Sequence, residues 1–249
     1  MRAFFLKVNA FIKSFLLFIR IGYLLVPFLL ILRFLANFAL LTRWLGERKK
    51  EMGFSDFYKP FRSYQDRHLL YEYVSKTAGL STGKINYFEF GVASAASFKW
   101  WLAHNINEES RFFGFDTFEG LPEKWALHGK GEMSFSVPQI NDNRALFYKG
   151  LFQETVYPFL KSIDIQDNRV KVFHLDADLY SSTLFVLAAF APYLRAGDII
   201  LFDEFNVPNH EFAAWNDFTR SFYVEYEVLG AVNNFYQLAL RITKTPFNV

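Results

Sequence analysis

The chain reads as an α/β domain: a doubly wound sheet of seven strands with helices on both faces, preceded by an N-terminal hydrophobic helical segment. Three observations predict this class. Past residue 64, short runs of β-branched and aromatic residues alternate with segments of helical period, the pattern of successive βαβ units. Several of those runs end in a carboxylate or a glycine, as strands do where a sheet opens onto a ligand. The first 45 residues are mostly apolar and differ in composition from everything after them, which divides the chain into 1–50 and 51–249.

The N-terminal segment has two pieces. In the first, Arg2, Asn9, Lys13 and Arg20 share one face at about 100° per residue. A basic stripe on an apolar helix suits an anionic membrane surface. The second, residues 21–42, is about long enough to span a bilayer, but Pro27 and Arg33 interrupt it. A charge at mid-span costs about 3 kcal/mol on insertion scales, so the reading is membrane association rather than a clean span. No short apolar core ends in a small-residue cleavage site, which argues against a signal peptide. The alternative is two helices packed on the domain itself or on a partner subunit. The basic residues of ERKK, 47–50, favour a cytoplasmic catalytic domain by the positive-inside rule.

In the second unit, residues 51–64 are irregular and aromatic, and 65–79 form a helix ending near Gly79. A strand over 85–92 is followed by a helix over 96–105 and a strand over 111–116. Residues 120–143 carry Gly, Pro and Asn and read as a loop or lid. Strands over 145–150, 169–176 and 197–204 alternate with helices over 153–162, 181–195 and 210–222, and strands over 224–231 and 234–242 close the chain. No internal repeat or low-complexity segment is present.

Composition excludes some functions. A net charge of +2 gives no field for nucleic acid. With no cysteine, disulfides, thiolate metal sites and cysteine nucleophiles are excluded. Aromatic residues make up 20% of the chain, with 32 phenylalanines, many of them in the N-terminal segment.

The chemistry gathers at the carboxyl ends of the strands. Glu89 and Gly91 end the first strand of the unit, Asp116 the second, Asp176 the fourth, and Asp203 and Glu204 the fifth. In YFEFGVASAAS, 87–97, a strand runs into Gly91 and small residues before a helix, which lets a ligand approach the backbone. Asp116 is placed to accept from ribose hydroxyls of a nucleotide-like cofactor. If the fourth and fifth strands are neighbours, Asp176, Asp203 and Glu204 converge, and three carboxylates raise one another's pKa values. A divalent cation relieves that, and oxygen-only ligands suit Mg²⁺, Ca²⁺ or Mn²⁺ rather than Zn²⁺. The plainer reading of Asp178, Ser181 and Ser182 is capping of the next helix.

Taken in order, E-F-G-V-x-S from Glu89, FDTFEGLPE (115–123), KGLFQET (149–155), HLDADLYSST (174–183) and LRAGDIILFDEF (194–205) resemble the macrocin O-methyltransferase-like branch of the class I S-adenosylmethionine-dependent methyltransferases, over about residues 65–242. The resemblance implies a Rossmann-like fold with a reversed terminal strand, and S-adenosylmethionine as methyl donor. It implies Mg²⁺ as a further cofactor. Glu89, Gly91, Asp116 and Asp176 would bind the cofactor, and Asp176, Asp203 and Glu204 would hold the metal. Three departures stand out. Ala95-Ala96 replaces a usual glycine pair, Asp203-Glu204 replaces a usual pair of aspartates, and Leu179 stands where catechol-type relatives carry a lysine base. Asp178 and His210 are the candidate bases, with Lys149 and His174 behind them.

The expected activity is O-methylation of a hydroxylated acceptor, a small molecule or a glycan or lipid-linked one, near a membrane. A homo-oligomer is a further expectation for the partners. The competing readings are the same enzyme without metal, an inactive membrane-anchored scaffold hinted at by Ala95-Ala96, and a sugar-nucleotide enzyme hinted at by the Asp176-Ala177-Asp178 pattern.

Overall fold

The computed structural model describes residues 1–48, 52–120, 129 and 131–247. Helix α1 spans Arg2–Phe18, a 3₁₀ turn follows over Ile21–Phe28, and α2 spans Leu29–Arg48. A short β1 (Phe54–Ser55) precedes α3 (Arg67–Thr77), β2 (Ile85–Phe90), α4 (Ala96–His104), β3 (Arg111–Asp116) and β4 (Ala145–Lys149). Then come α5 (Phe152–Ser162), β5 (Val170–Leu175), α6 (Tyr180–Phe190), β6 (Ile199–Phe202), α7 (Glu211–Phe222), β7 (Glu225–Val232) and β8 (Gln237–Lys244). Residues 49–51, 121–128 and 130 lie outside the described residues, and with them part of ERKK and part of the expected lid.

The sheet has eight strands in the order β1-β7-β8-β6-β5-β2-β3-β4, all parallel except β8, which runs antiparallel to β6 and β7. Seven of these are the strands read from the sequence. The eighth, β1, is two residues long, pairs in parallel with β7, and falls in the stretch read as irregular. Two residues are too few for an alternating pattern, so only the neighbour strand makes this segment extended.

Alternation along the strands builds two cores. Phe88 and Phe90 face α5, α6 and α7, whereas Tyr87 and Val172 face α3 and α4. Phe88 stacks on Phe113 at 5.3 Å and on Phe173 at 5.1 Å, its register partners on β3 and β5. Phe90, Phe115 and Tyr148 repeat the stack one step nearer the carboxyl ends. Each such ring buried contributes about 2 kcal/mol. The aromatic excess of the second unit is thus a ladder across the sheet.

The strand order puts the ends of β5 and β6 side by side, with β2 and β3 next to them. Backbone bonds hold these ends in line: Gly91 N–H donates to Phe115, Asp176 N–H to Phe90 and Asp203 N–H to Leu175. Gly91 is a forced choice, since it has φ +92° and a Cβ there would lie 1.8 Å from the Asp176 carbonyl oxygen. That close approach seats the first turn against the end of β5.

Candidate active site

A cleft of 590 Å³ opens at the carboxyl end of the sheet. That volume is in the range of small-molecule and cofactor pockets. Gly91, Ala93, Asp116, Asp176, Asp178, Asp203 and Glu204 line it, with Ser181 and Ser182 from the start of α6 and Tyr64 and Arg67 from the start of α3. Glu89 and His210 are not among the lining residues.

Asp116 organises the first turn. Its Oδ2 accepts from the amides of Val92 and Ala93, both at 2.8 Å, and its Oδ1 accepts from Phe118 N–H at 2.7 Å. A carboxylate has about four acceptor positions, so one is left for a ligand hydroxyl. Ala93 and Ala95 both adopt the left-handed conformation, with φ +47° and +60°. Ala95 is buried and lies off the cleft, so the alanine pair keeps the turn's shape without narrowing the pocket.

Glu89 sits beneath this turn. Its parity along β2 matches Tyr87, which turns it toward α3 and α4 rather than into the cleft. It accepts from Tyr87 Oη at 2.5 Å. His174 on β5 lies against the same tyrosine at 2.9 Å and against Tyr71 at 3.3 Å. Glu89 thus lies in a buried network below the turn rather than on the cleft wall. His174 belongs to that network, and Lys149 pairs with exposed Glu119 at 2.9 Å, so neither is placed as a base.

The other side of the constellation is crowded with negative charge. Burial pushes the Asp176 carboxyl well above the ordinary range, and Asp203, Asp178, Glu211 and Glu204 push it in the same direction. Glu204 is raised to about 7, first by burial, then by Asp178 and Asp203, against the opposing Tyr236 hydrogen bond. Tyr236 Oη donates to Glu204 Oε1, while Oε2 is buried without a hydrogen-bond partner. Glu211, in the first turn of α7, is fully buried and accepts from Glu204 N–H at 2.9 Å through Oε2, leaving Oε1 unpartnered. Its carboxyl is pushed well up by burial.

Arg67 is paired with one of these groups. Arg67 reaches Asp203 Oδ2 at 3.3 Å and stacks on the Tyr64 ring at 4.9 Å. Gln237 Nε2 donates to the Asp203 carbonyl oxygen at 3.1 Å. Sequence reasoning missed both Glu211 and Arg67. A basic residue at the first position of a helix runs against the helix dipole, and that was the available signal for Arg67.

The oxygen-only donor set and the orphaned Glu204 Oε2 fit a hard divalent cation in chemistry. The present arrangement is not a chelate: among the described residues no group of three His, Asp or Glu is spaced to hold a metal, and Asp203 is paired with Arg67. His210 occupies the cap position before α7. Leu179 is the cap position of α6 and makes no side-chain cap bond itself.

The chain was compared with known proteins. Residues 128–233 match the model of the macrocin-O-methyltransferase (TylF) family. The calicheamicin methyltransferase CalS11 is similar at 24% identity and TM-score 0.53, covering 72% of this chain and 80% of its own. The O-methyltransferase NovP is similar at 16% identity and TM-score 0.55, again covering 72% of this chain and 80% of its own. These likenesses show the fold. No curated protein matches the chain.

Proposed function

We propose that the chain is an S-adenosylmethionine-dependent O-methyltransferase of the macrocin type that methylates a hydroxyl group held among the carboxylates of the cleft, at a membrane surface; the family match over residues 128–233 and the fold support this reading. The observation that carries this reading is the joint lining of one cleft by the Gly91–Asp116 turn and by Asp176, Asp178, Asp203 and Glu204. The first set suits a nucleoside. The second suits a polar, hydroxylated acceptor.

The reaction is an in-line displacement. The acceptor oxygen forms the new O–CH₃ bond as the S–CH₃ bond breaks, and the hydroxyl proton goes to a base. Alignment supplies most of the rate, because the sulfonium is already a good leaving group. Asp116 holds the cofactor turn and keeps one acceptor position for a ribose hydroxyl. Glu204, with a pKa of about 7, is matched to take a proton near neutral pH, and Asp178 lines the same cleft as the second candidate. Arg67 fixes Asp203 and supplies the positive charge nearest the acceptor. Asp176, Asp203 and Glu204 would hold Mg²⁺, and with the ion bound Asp178 rather than Glu204 would take the proton. The ion would lower the pKa of a bound hydroxyl as a Lewis acid.

The membrane part rests on the N-terminal segment. Within the helical stretch Ile21–Arg48, an 18-residue window has mean hydropathy 2.3 and only 6% of it is buried. A water-soluble domain leaves no such apolar surface uncovered.

Calorimetric titration of the whole protein with S-adenosylhomocysteine tests the core of the reading. Micromolar binding to the wild type, weakened at least tenfold in Asp116→Asn, is expected. A wild-type protein that binds no S-adenosylhomocysteine ends the proposal.

A further inference from the structure

The N-terminal segment holds a feature that the cleft chemistry leaves unused. Its residues from Phe4 to Ala36 are all exposed, and then α2 abruptly acquires partners on one face. Arg33 lies over the Tyr180 ring at 5.1 Å. Asn37 Nδ2 donates to Asn209 Oδ1 at 2.9 Å. Leu41 is buried. Trp44 packs on Phe205 at 4.8 Å and donates to Tyr226 Oη at 2.7 Å. Arg48 lies over the Tyr226 ring at 5.0 Å. The spacing 33, 37, 41, 44, 48 is one helical face. Tyr180 opens α6, just after the turn that follows β5, and Asn209 lies in the loop that follows β6, so α2 is seated beside the segments that carry the acidic residues.

This docking changes what the apolar segment can do. From Arg33 onward the helix is tied to a polar, folded domain that cannot enter hydrocarbon. The apolar run left free is Ile21–Leu32. Eight 3₁₀ residues and four α-helical ones reach about 22 Å, against the roughly 30 Å of a bilayer core. Arg20 then turns the chain with φ +52°, so α1 does not extend that run as one helix. A crossing by α1 itself would bury Lys7 and Lys13, each at a cost of about 3 kcal/mol. Arg2, Asn9 and Lys13 instead form a polar stripe along it, and Lys7 reaches the headgroups by its flexible stem. The first 46 residues hold six basic side chains and no acidic one, complementary to anionic lipid.

We propose that the segment is a monotopic anchor: α1 and residues 21–32 enter one leaflet of an anionic bilayer without crossing it, and the docked face of α2 holds the catalytic domain, cleft end first, on the same side as the N-terminus. The acceptor then belongs to a class whose hydroxyl is presented at that leaflet, a lipid-anchored polar headgroup. This rests on the membrane part of the proposed function.

The cysteine-free chain makes the test clean. Arg2→Cys, in α1, and Glu108→Cys, on the exposed surface of the domain, are expressed singly in the full chain in a bacterial host. A membrane-impermeant maleimide is applied to spheroplasts and to inverted membrane vesicles. Both positions are expected to label in inverted vesicles, and neither in spheroplasts. Labelling of Arg2→Cys in spheroplasts with Glu108→Cys labelled only in inverted vesicles would mean a span and overturn the proposal. A chain that fractionates wholly with the cytosol overturns the membrane reading as well, and so is told apart from a wrong topology.

Discussion

Two carboxylate groups lie at strand ends along one edge of the same sheet and exist in opposite electrostatic states. At the end of β3, Asp116 is met by three backbone amides. At the ends of β5 and β6, Asp176 and Glu204, with Glu211 behind them, face one another and are pushed toward protonation. The difference is one of donors. The turn after β2 curls its N–H groups onto Asp116, whereas at β5 and β6 Arg67 meets Asp203, Tyr236 donates to Glu204, and Glu204 Oε2 and Glu211 Oε1 are left unpartnered. The first group is preorganised before any ligand arrives. The second holds unrelieved charge that a proton, a cation or a polar acceptor would relieve, which is how a fold keeps a reactive site reactive.

The largest effect is expected where the compensated group is broken. Asp116→Ala strips acceptors from three amides, two of them in the turn against the end of β5. Hydrogen bonds to a charged acceptor contribute about 1.5–3 kcal/mol each, so a loss of about 4 kcal/mol in unfolding free energy is expected once the amides relax toward water. Asp116→Asn keeps one oxygen and should lose about half of that. Denaturant melts of the two variants measure it, and equal stability in wild type and Asp116→Ala would mean that the turn is held by something else.

The uncompensated group should answer to pH in two opposed ways. The folded-state pKa of Glu204, about 7, lies above its unfolded value of 4.5, so the folded protein binds the proton more tightly. Its contribution to stability is full below pH 4.5 and is lost as pH rises through about 7, an effect of about 3 kcal/mol. Asp176 and Glu211 are shifted the same way and add to it. Turnover should move oppositely, rising through pH 7 as Glu204 becomes a base. Glu204→Gln should flatten both curves and cut kcat by about a hundredfold. A melting temperature that climbs from pH 5 to pH 8 would contradict the burial of this charge. At pH 8, millimolar Mg²⁺ should raise the melting temperature of the wild type and leave that of Glu204→Gln unmoved; no shift in the wild type would remove the metal from the reading.

Much of this fold was legible because its strands carry a strong local pattern. Phe88, Phe113 and Phe173 stand in runs of β-branched and aromatic residues that suit little besides a covered parallel sheet. The strand ends were legible too, since Gly91, Asp116, Asp176 and Asp203 interrupt those runs. What was less legible depended on direction and distance. The place of Glu89 beneath the turn with Tyr87 follows from the two-residue period of β2. Glu211 reads as an ordinary acidic residue in a helix's first turn, and its burial comes from the chain folding over it. Arg67 meets Asp203 across 136 positions of sequence, and no local window contains that pair. The charge at Arg33, which breaks a simple membrane span, meets the ring of Tyr180 at the start of α6, far away in sequence.

Glu211 allows a finer cut between the two states. Glu211→Gln keeps an oxygen for the Glu204 amide and removes a fully buried charge. Replacing buried charge by a neutral group of similar shape is often stabilising, here by about 1–2 kcal/mol at pH 8. The gain should shrink as the pH falls to 5, because burial favours the protonated form of the wild-type carboxyl. At about 2–4 °C per kcal/mol for a chain of this size, melting curves at the two pH values resolve it. A gain that persists undiminished at pH 5 would point to packing rather than charge.

The smallest effect separates conformation from charge altogether. Ala95 is buried in the left-handed region at the start of α4, where an alanine costs about 1 kcal/mol that a glycine does not. Glycine also loses more backbone freedom on folding, which takes back up to about 1 kcal/mol. Ala95→Gly should therefore stabilise by no more than about 1 kcal/mol, with no dependence on pH between 5 and 8 because no titratable group is touched. Cofactor affinity should change less than threefold, since Ala95 lies off the cleft wall. A tenfold rise in affinity for S-adenosylhomocysteine would mean that the alanine distorts the Val92 and Ala93 amides that bind Asp116. The compensated edge would then be less settled than its three hydrogen bonds suggest.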